Sequence, residues 1–408
     1  MMKRAPIRNI IWLFLVTRLL LILVTYFGYI LLTADKYSSA LVSPGTFLSF
    51  WNQWDATRYV SIAQYGYKTP FDFAFFPLFP LLTGILSAPL GSWSYLLVGM
   101  LISNGALLGT LFVLYQIAVD QAGEDVARRS LLYLCIFPTA FFFFTAYNES
   151  LFLLLVTGAF LAMRRQRWWL VGLLGCLAAL TRSAGLLLVA PYLYELWQSL
   201  HLTIGNPANW GRGVTLRAPV GQYQQRPPSE HGRTQGDAST PEGNNIIKHW
   251  RVLAGRLAPI LLIPLGTCIY SFYCWKVTGN PLEFAAVQDH WARQLSWPWV
   301  GFWHAGFELF LNQPFGSFNQ VHILLDLCAT IGFIVLTILG WHRIRVSYSI
   351  WMVLLLLYIL LTPSVGQRDP LISNQRFVLE MFPAFITLAL ISLHRPRLHQ
   401  TLLLLFPI

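Results

Sequence analysis

Of the 408 residues, 56% are hydrophobic and 11% charged, whereas soluble domains carry roughly 25% charged residues; a soluble fold is excluded. The long apolar runs do not alternate, which excludes an outer-membrane barrel and leaves an all-α polytopic membrane protein, since backbone in lipid must be satisfied within helices. The formal net charge of +11 does not point to nucleic acid, because Lys and Arg fall in short segments between apolar runs and form no basic stripe.

Lys3, Arg4 and Arg8 put the N-terminus in the cytoplasm, and a first helix is expected over about 9–33. Its apolar part is longer than a signal-peptide h-region, so it reads as retained. Arg18 inside it is expected to snorkel to the near surface or to meet a lipid phosphate. The loop 34–73 then lies outside. It contains "FWNQWDATRYVSIAQYGY" (50–67), in which Asp55 is the only acid between residues 37 and 71.

Further along, "EDVARRS" (124–130), "RRQR" (164–167), "HRIR" (342–345) and "HRPR" (394–397) are Arg-rich inside anchors. Outside turns fall at "AYNES" (146–150), at Thr181 and Arg182, at 276–320 and at 363–377. Parity leaves two alternatives, that the Pro-rich "FAFFPLFPLL" (73–82) is re-entrant or interfacial or that one inside/outside assignment is wrong, and the first is preferred because Pro77 and Pro80 break helices. About ten full crossings result. Residues 198–252 turn abruptly to Gly, Pro, Gln, Ser and Arg and are expected to form a disordered cytoplasmic linker between two transmembrane halves, 1–197 and 253–408. The five cysteines have no metal-ligand spacing and read as small buried hydrophobes.

The ionisable groups that anchoring does not explain gather at one face: Asp55, Arg58 and Tyr59; Tyr147, Asn148 and Glu149; Arg182; Gln288, Asp289, His290, Trp291 and Arg293; and Arg368, Asp369 and Arg376. A transporter concentrates such groups near the midplane. Here Arg and His are suited to a phosphate or diphosphate, Trp and Tyr to the interface, and a carboxylate to a hydroxyl proton. Together these describe sugar transfer on an amphiphile from the outer leaflet, with a lipid-linked sugar flippase as the alternative. Other readings remain open. Trp51 and Trp54 suit an aromatic belt, Asp55 could cap the helix that begins at "DATRY", Glu149 could cap one beginning at Ser150, and Arg182 needs either a lipid phosphate or a protein carboxylate such as Glu149.

The run "WNQWDATRYVSIAQYGY" followed by "FAFFPLFPLL" resembles the first outside loop of the PIG-V-like mannosyltransferases, the family of GPI mannosyltransferase II. "FPTAFFFFTAYNESLFLLL" (137–155), "LAALTRSAGLLL" (177–188), "VQDHWARQLSWPW" (287–299) and "NQRFVLEMFPAF" (374–385) also look like family segments, so the resemblance spans nearly everything except the linker. It implies a GT-C helical bundle that takes sugar, here a hexose and in that family mannose, from a polyprenyl phosphate. The acceptor is a glycan or glycolipid and no cofactor is used. It implies Asp55 as catalytic residue, with Tyr147, Glu149, Arg182, Gln288, Trp291 and Arg376 in support; Trp54, Arg58, Tyr59 and His290 complete the expected substrate-binding set. No metal is expected, since a divalent ion wants two or three carboxylates. Asn148 departs from the Ser common in the family. The tail "HQTLLLLFPI" is too short for another crossing, so a terminal helix is expected to be missing. The linker suggests a divergent member in a bacterial-type plasma membrane, active on its extracytoplasmic side.

Overall fold

The computed structural model describes residues 4–32, 44–204 and 253–407. In chain order these form α1 (Arg4–Leu32), α2 (Pro44–Ser49), α3 (Asp55–Tyr65), α4 (Leu78–Ser87), α5 (Tyr95–Ala122), α6 (Glu124–Ile136), α7 (Glu149–Arg164), α8 (Trp168–Thr181) and α9 (Val189–Ile204). After the gap come α10 (Leu262–Thr278), α11 (Glu283–Ala286), α12 (Val300–Phe307), α13 (Phe318–Gly340), α14 (Val346–Leu360), α15 (Asn374–Phe377), α16 (Phe382–Leu393) and α17 (Pro396–Leu405). An isolated bridge between Arg293 and Ser364 is the extended pairing among the described residues.

Four helices are long and apolar enough to cross a bilayer: Pro6–Leu31, Ser92–Ala122, Leu253–Thr278 and Phe318–Gly340. The pair Asn374–Glu380 and Phe382–Leu393, bent by 82°, makes a fifth if it is one span. The described residues therefore do not reach the ten crossings expected from sequence. The apolar helices α4, α8 and α14 have 10, 14 and 15 residues, or about 15–23 Å at 1.5 Å per residue, against a hydrocarbon core of about 30 Å. Residues 198–204 continue α9; the remainder of the expected linker, 205–252, lies outside the described residues, as does 34–43.

In the Phe-Phe-Pro segment the chain leaves helical geometry for a short 3-10 turn, Pro70–Ala74, before α4. Carbonyls freed there still need donors. The Tyr67 hydroxyl donates to Phe75 O at 2.7 Å and the Tyr270 hydroxyl to Phe73 O at 2.8 Å. Asp72, buried, accepts from the backbone N–H of Lys68 and Thr69 at 3.0 and 2.8 Å, which closes the turn that hands the chain from α3 to α4.

The core runs along α5, α6, α7, α14 and α16, where Phe160, Tyr348, Trp351 and Phe382 interlock edge to face and are buried. Helices α8 and α10 meet through glycine, the usual way to let transmembrane backbones approach closely. A Cβ on Gly172 would stand 2.3 Å from Pro259 O, and one on Gly266 2.3 Å from Cys176 O. Arg18 does not reach a surface. It is 5% exposed, and its guanidinium nitrogens find no hydrogen-bond partner; it lies 5.9 Å from the centroids of the Phe14 and Phe144 rings. Cys135 and Cys274 are buried, but Cys268 and Cys328 face outward, contrary to the reading of all five as buried.

Candidate active site

Helix α3 begins at Asp55 with Trp54, not Asp55, at its N-cap, and neither Trp54 nor Asn148, the N-cap of α7, makes a side-chain capping hydrogen bond. The carboxylates at these helix starts are engaged elsewhere. Asp55 Oδ2 accepts from Arg376 Nη1 at 2.5 Å, and Arg376 Nε lies 3.1 Å from Glu149 Oε1. The same Glu149 oxygen accepts from Arg182 Nη1 at 2.9 Å, and Arg182 Nη1 lies 2.8 Å from Glu380 Oε1. Asp55, Arg376, Glu149, Arg182 and Glu380 thus form one chain of alternating charge.

Burial grades along that chain. The side chains of Glu149 and Glu380 are 1% and 2% exposed, those of Arg376 and Arg182 13% and 15%, and that of Asp55 27%. Charges this buried are tolerated only when paired, because the desolvation cost is several kcal/mol per ion. The chain is anchored at its interior end and opens at Asp55.

A cavity of about 430 Å³ takes up that opening. Asp55, Tyr59, Arg182, Gln288, Trp291, Arg293 and Arg376 line it, together with Phe377, Tyr358 and Ser183. Tyr147 stands directly behind: its hydroxyl accepts from Asp55 N–H at 3.1 Å and donates to Gln53 O at 3.3 Å. Burial, and then the Asp55 charge, pushes the Tyr147 hydroxyl above its usual pKa, so it keeps its proton. Asn148 Nδ2 donates to Thr181 O at 2.8 Å, tying the end of α8 to the start of α7 and holding Arg182 at the break.

Of the residues expected in the substrate set, Asp55, Tyr59, Arg182, Gln288, Trp291 and Arg376 line the cavity, and Tyr147 and Glu149 support it. Three do not line it. Trp54, with a positive φ of 50°, is 65% exposed and borders a separate cavity of about 420 Å³ between α1 and the end of α6. Arg58 turns to Asp72 at 3.7 Å and over the Phe71 ring at 4.7 Å. His290 packs edge-on against that ring, 5.5 Å between centroids. Glu380 and Phe377 belong to the site although sequence did not single them out for it, and Arg293, named among the ionisable groups at this face but not in the expected substrate set, joins them. The Phe377 ring has the guanidinium carbons of Arg182, Arg376 and Arg293 at 4.8, 5.1 and 5.2 Å from its centroid.

Residues 7–204 match the family model Mannosyltransferase (PIG-V). That matched region is PIG-V-like. The chain is 35% identical over 183 residues to the GPI alpha-1,6-mannosyltransferase 2 of Mus musculus, a match covering 41% of this chain and 36% of that one. The Homo sapiens protein of the same name is 32% identical over 193 residues, covering 43% of this chain and 39% of that one. The match thus spans less than two-fifths of either relative. Among solved structures, the Archaeoglobus fulgidus oligosaccharyltransferase in its apo form superposes with a TM-score of 0.40 at 11% identity, over 95% of this chain and 52% of that one, an overlap too loose to carry an argument. The PIG-V-like region holds Asp55, Tyr59, Tyr147, Glu149 and Arg182; Gln288, Trp291, Arg293, Arg376 and Glu380 come from beyond it and are joined to it by the fold.

Proposed function

We propose that this membrane protein is a glycosyltransferase that moves a hexose, mannose by its family likeness, from a polyprenyl phosphate to a hydroxyl of a glycan or glycolipid. The observation that carries the reading is the Asp55–Arg376 ion pair opening onto a cavity with guanidinium groups on its walls. In the step, the acceptor oxygen forms a bond to the anomeric carbon as the bond from that carbon to the phosphate oxygen breaks. The electron pair leaves on the phosphate and the hydroxyl proton goes to the Asp55 carboxylate. Attack opposite the leaving group inverts the anomeric centre, so a β-linked donor gives an α-linked product. Such general-base help is worth roughly 10² to 10⁴-fold.

Trp291 and Tyr59 offer ring faces to sugar or isoprene, and Gln288 an amide for sugar hydroxyls. Arg182 and Arg376, each between two carboxylates, hold the wall in shape. An extracytoplasmic site follows from the Arg-rich inside anchors. The curated relatives reported above are mammalian, and they lend nothing to a bacterial-type plasma membrane.

Reconstitution in liposomes with labelled polyprenyl-phosphate mannose and a pool of glycolipid acceptors tests the reading. Label in a new glycosidic bond on the acceptor is expected. Label that crosses leaflets while remaining wholly on the polyprenyl phosphate would make the protein a flippase and overturn it.

A further inference from the structure

Three guanidinium groups surround Phe377, but they are not equivalent. Arg182 faces Glu149 and Glu380; Arg376 faces Asp55 and Glu149. Arg293 has no ion pair among the described residues, and its Nε is buried without a hydrogen-bond partner. A half-buried guanidinium whose Nε meets no partner and whose near neighbour is a ring face is left under-compensated, since cation–π attraction offsets only part of the cost of an unpaired charge drawn out of water. Burial pulls the Arg293 pKa below the usual guanidinium value, and the nearby Arg376 and Arg182 charges add to that.

The backbone holds Arg293 in this position. Ala292 takes a left-handed conformation, φ 51°, which turns the chain sharply after Trp291. The next residues are then stitched to the segment after α14: Arg293 bridges to Ser364, Gln294 N–H donates to Pro363 O at 3.4 Å and Ser296 N–H to Leu361 O at 2.9 Å. Arg293 thus lines the same cavity as Asp55, beside the Phe377 ring that the two paired arginines also flank. An orphaned cation, held rigidly at a cavity, marks the place of an anion supplied by a ligand.

We propose that Arg293 is the cation that binds the phosphate of the lipid-phosphate substrate and takes up the charge that grows on it as the sugar departs. The inference rests on the glycosyltransferase reading above and deepens it, separating the phosphate from the acceptor hydroxyl at Asp55. It moves the phosphate away from Arg182 and Arg376, whose charges are already met by the protein. Stabilisation of charge that develops in the transition state is where a preorganised guanidinium contributes most, and its planar fork suits two phosphate oxygens.

The test compares binding of a short-chain polyprenyl phosphate with binding of the same polyprenol, to detergent-purified full-length protein, by native mass spectrometry. Wild type is expected to favour the phosphate by at least tenfold. Arg293→Gln is expected to bring the two ligands within about threefold, and Arg293→Lys to fall between; unfolding temperatures are measured alongside. Asp55→Asn is expected to keep the wild-type preference. If Arg293→Gln and Arg293→Lys keep the full preference while folded, this inference is overturned and the glycosyltransferase reading stands. If wild type does not distinguish phosphate from polyprenol, the lipid-phosphate donor is overturned, and this inference with it.

Discussion

Arg376 and Asp55, 321 positions apart, meet in an ion pair at 2.5 Å that joins the start of α3 to the first arm of a broken helix near the C-terminus. Glu149 stands 3.1 Å behind the same guanidinium and, through its shared oxygen, couples the pair to Arg182. Placing the Asp55 carboxylate is thereby a property of the whole fold, since its ion-pair chain draws on α15, α7 and the break after α8.

Glu149→Gln should show this coupling in stability. The substitution preserves shape but removes the one negative charge shared by two arginines. Breaking one partner of a buried ion pair costs about 3–5 kcal/mol, so the unfolding temperature in detergent is expected to drop by several degrees, with transfer activity lost alongside. An unfolding temperature within a degree of wild type would mean the chain of charges is not coupled as described.

Arg182→Lys separates a structural role from a donor-binding one. With Glu149 and Glu380 at 2.9 and 2.8 Å and Asn148 Oδ1 at 3.4 Å, the fork is used by the protein. Lysine keeps the charge and loses the fork. The expected result is about 1–3 kcal/mol less stability, the range for a poorly satisfied buried polar group, with the Michaelis constant for donor unchanged. A raised Michaelis constant at unaltered stability would return Arg182 to the substrate set.

Gly172→Ala probes the packing of α8 against the segment that leads into α10. The added Cβ would meet a backbone carbonyl, Pro259 O at 2.3 Å, which has no rotamer to move away with. Overpacking of this kind costs about 1–3 kcal/mol, read as lower thermal stability. Gly255→Ala is the control, since nothing lies within 4 Å of its Cβ position. Equal behaviour of the two variants would remove the close-approach argument.

How much of this was legible in the sequence differs by residue. Asp55 stood out because a lone acid in an aromatic loop after an apolar helix has few structural explanations, and the Phe-Phe-Pro run beside it fixed the family likeness. Arg376 and Asp55 both lay in quoted motifs, but their pairing did not show, because no sequence spacing links position 55 to position 376. Glu380 was hidden in an apolar stretch, where a buried carboxylate is detectable only once its cation is seen. In "VQDHWAR" both His290 and Arg293 were placed at the outside face, but only His290 entered the expected substrate set; the left-handed Ala292 that turns the chain between them is not a glycine or asparagine that would announce it. The crossing count exceeded the spans found for a related reason. Apolar composition registers α4, α8 and α14 as segments, while their lengths are set by the prolines, glycines and polar breaks that end them.

The most direct measurement is single-turnover sugar transfer by Asp55→Asn, with polyprenyl phosphate binding and unfolding temperature recorded on the same preparation. Asparagine is nearly isosteric but has no proton affinity to take up the acceptor hydroxyl's proton. Transfer at least about 10²-fold slower, with donor-lipid binding kept within a few-fold and the fold intact, is the expected result. Transfer within a few-fold of wild type would contradict the assignment of Asp55 as the base.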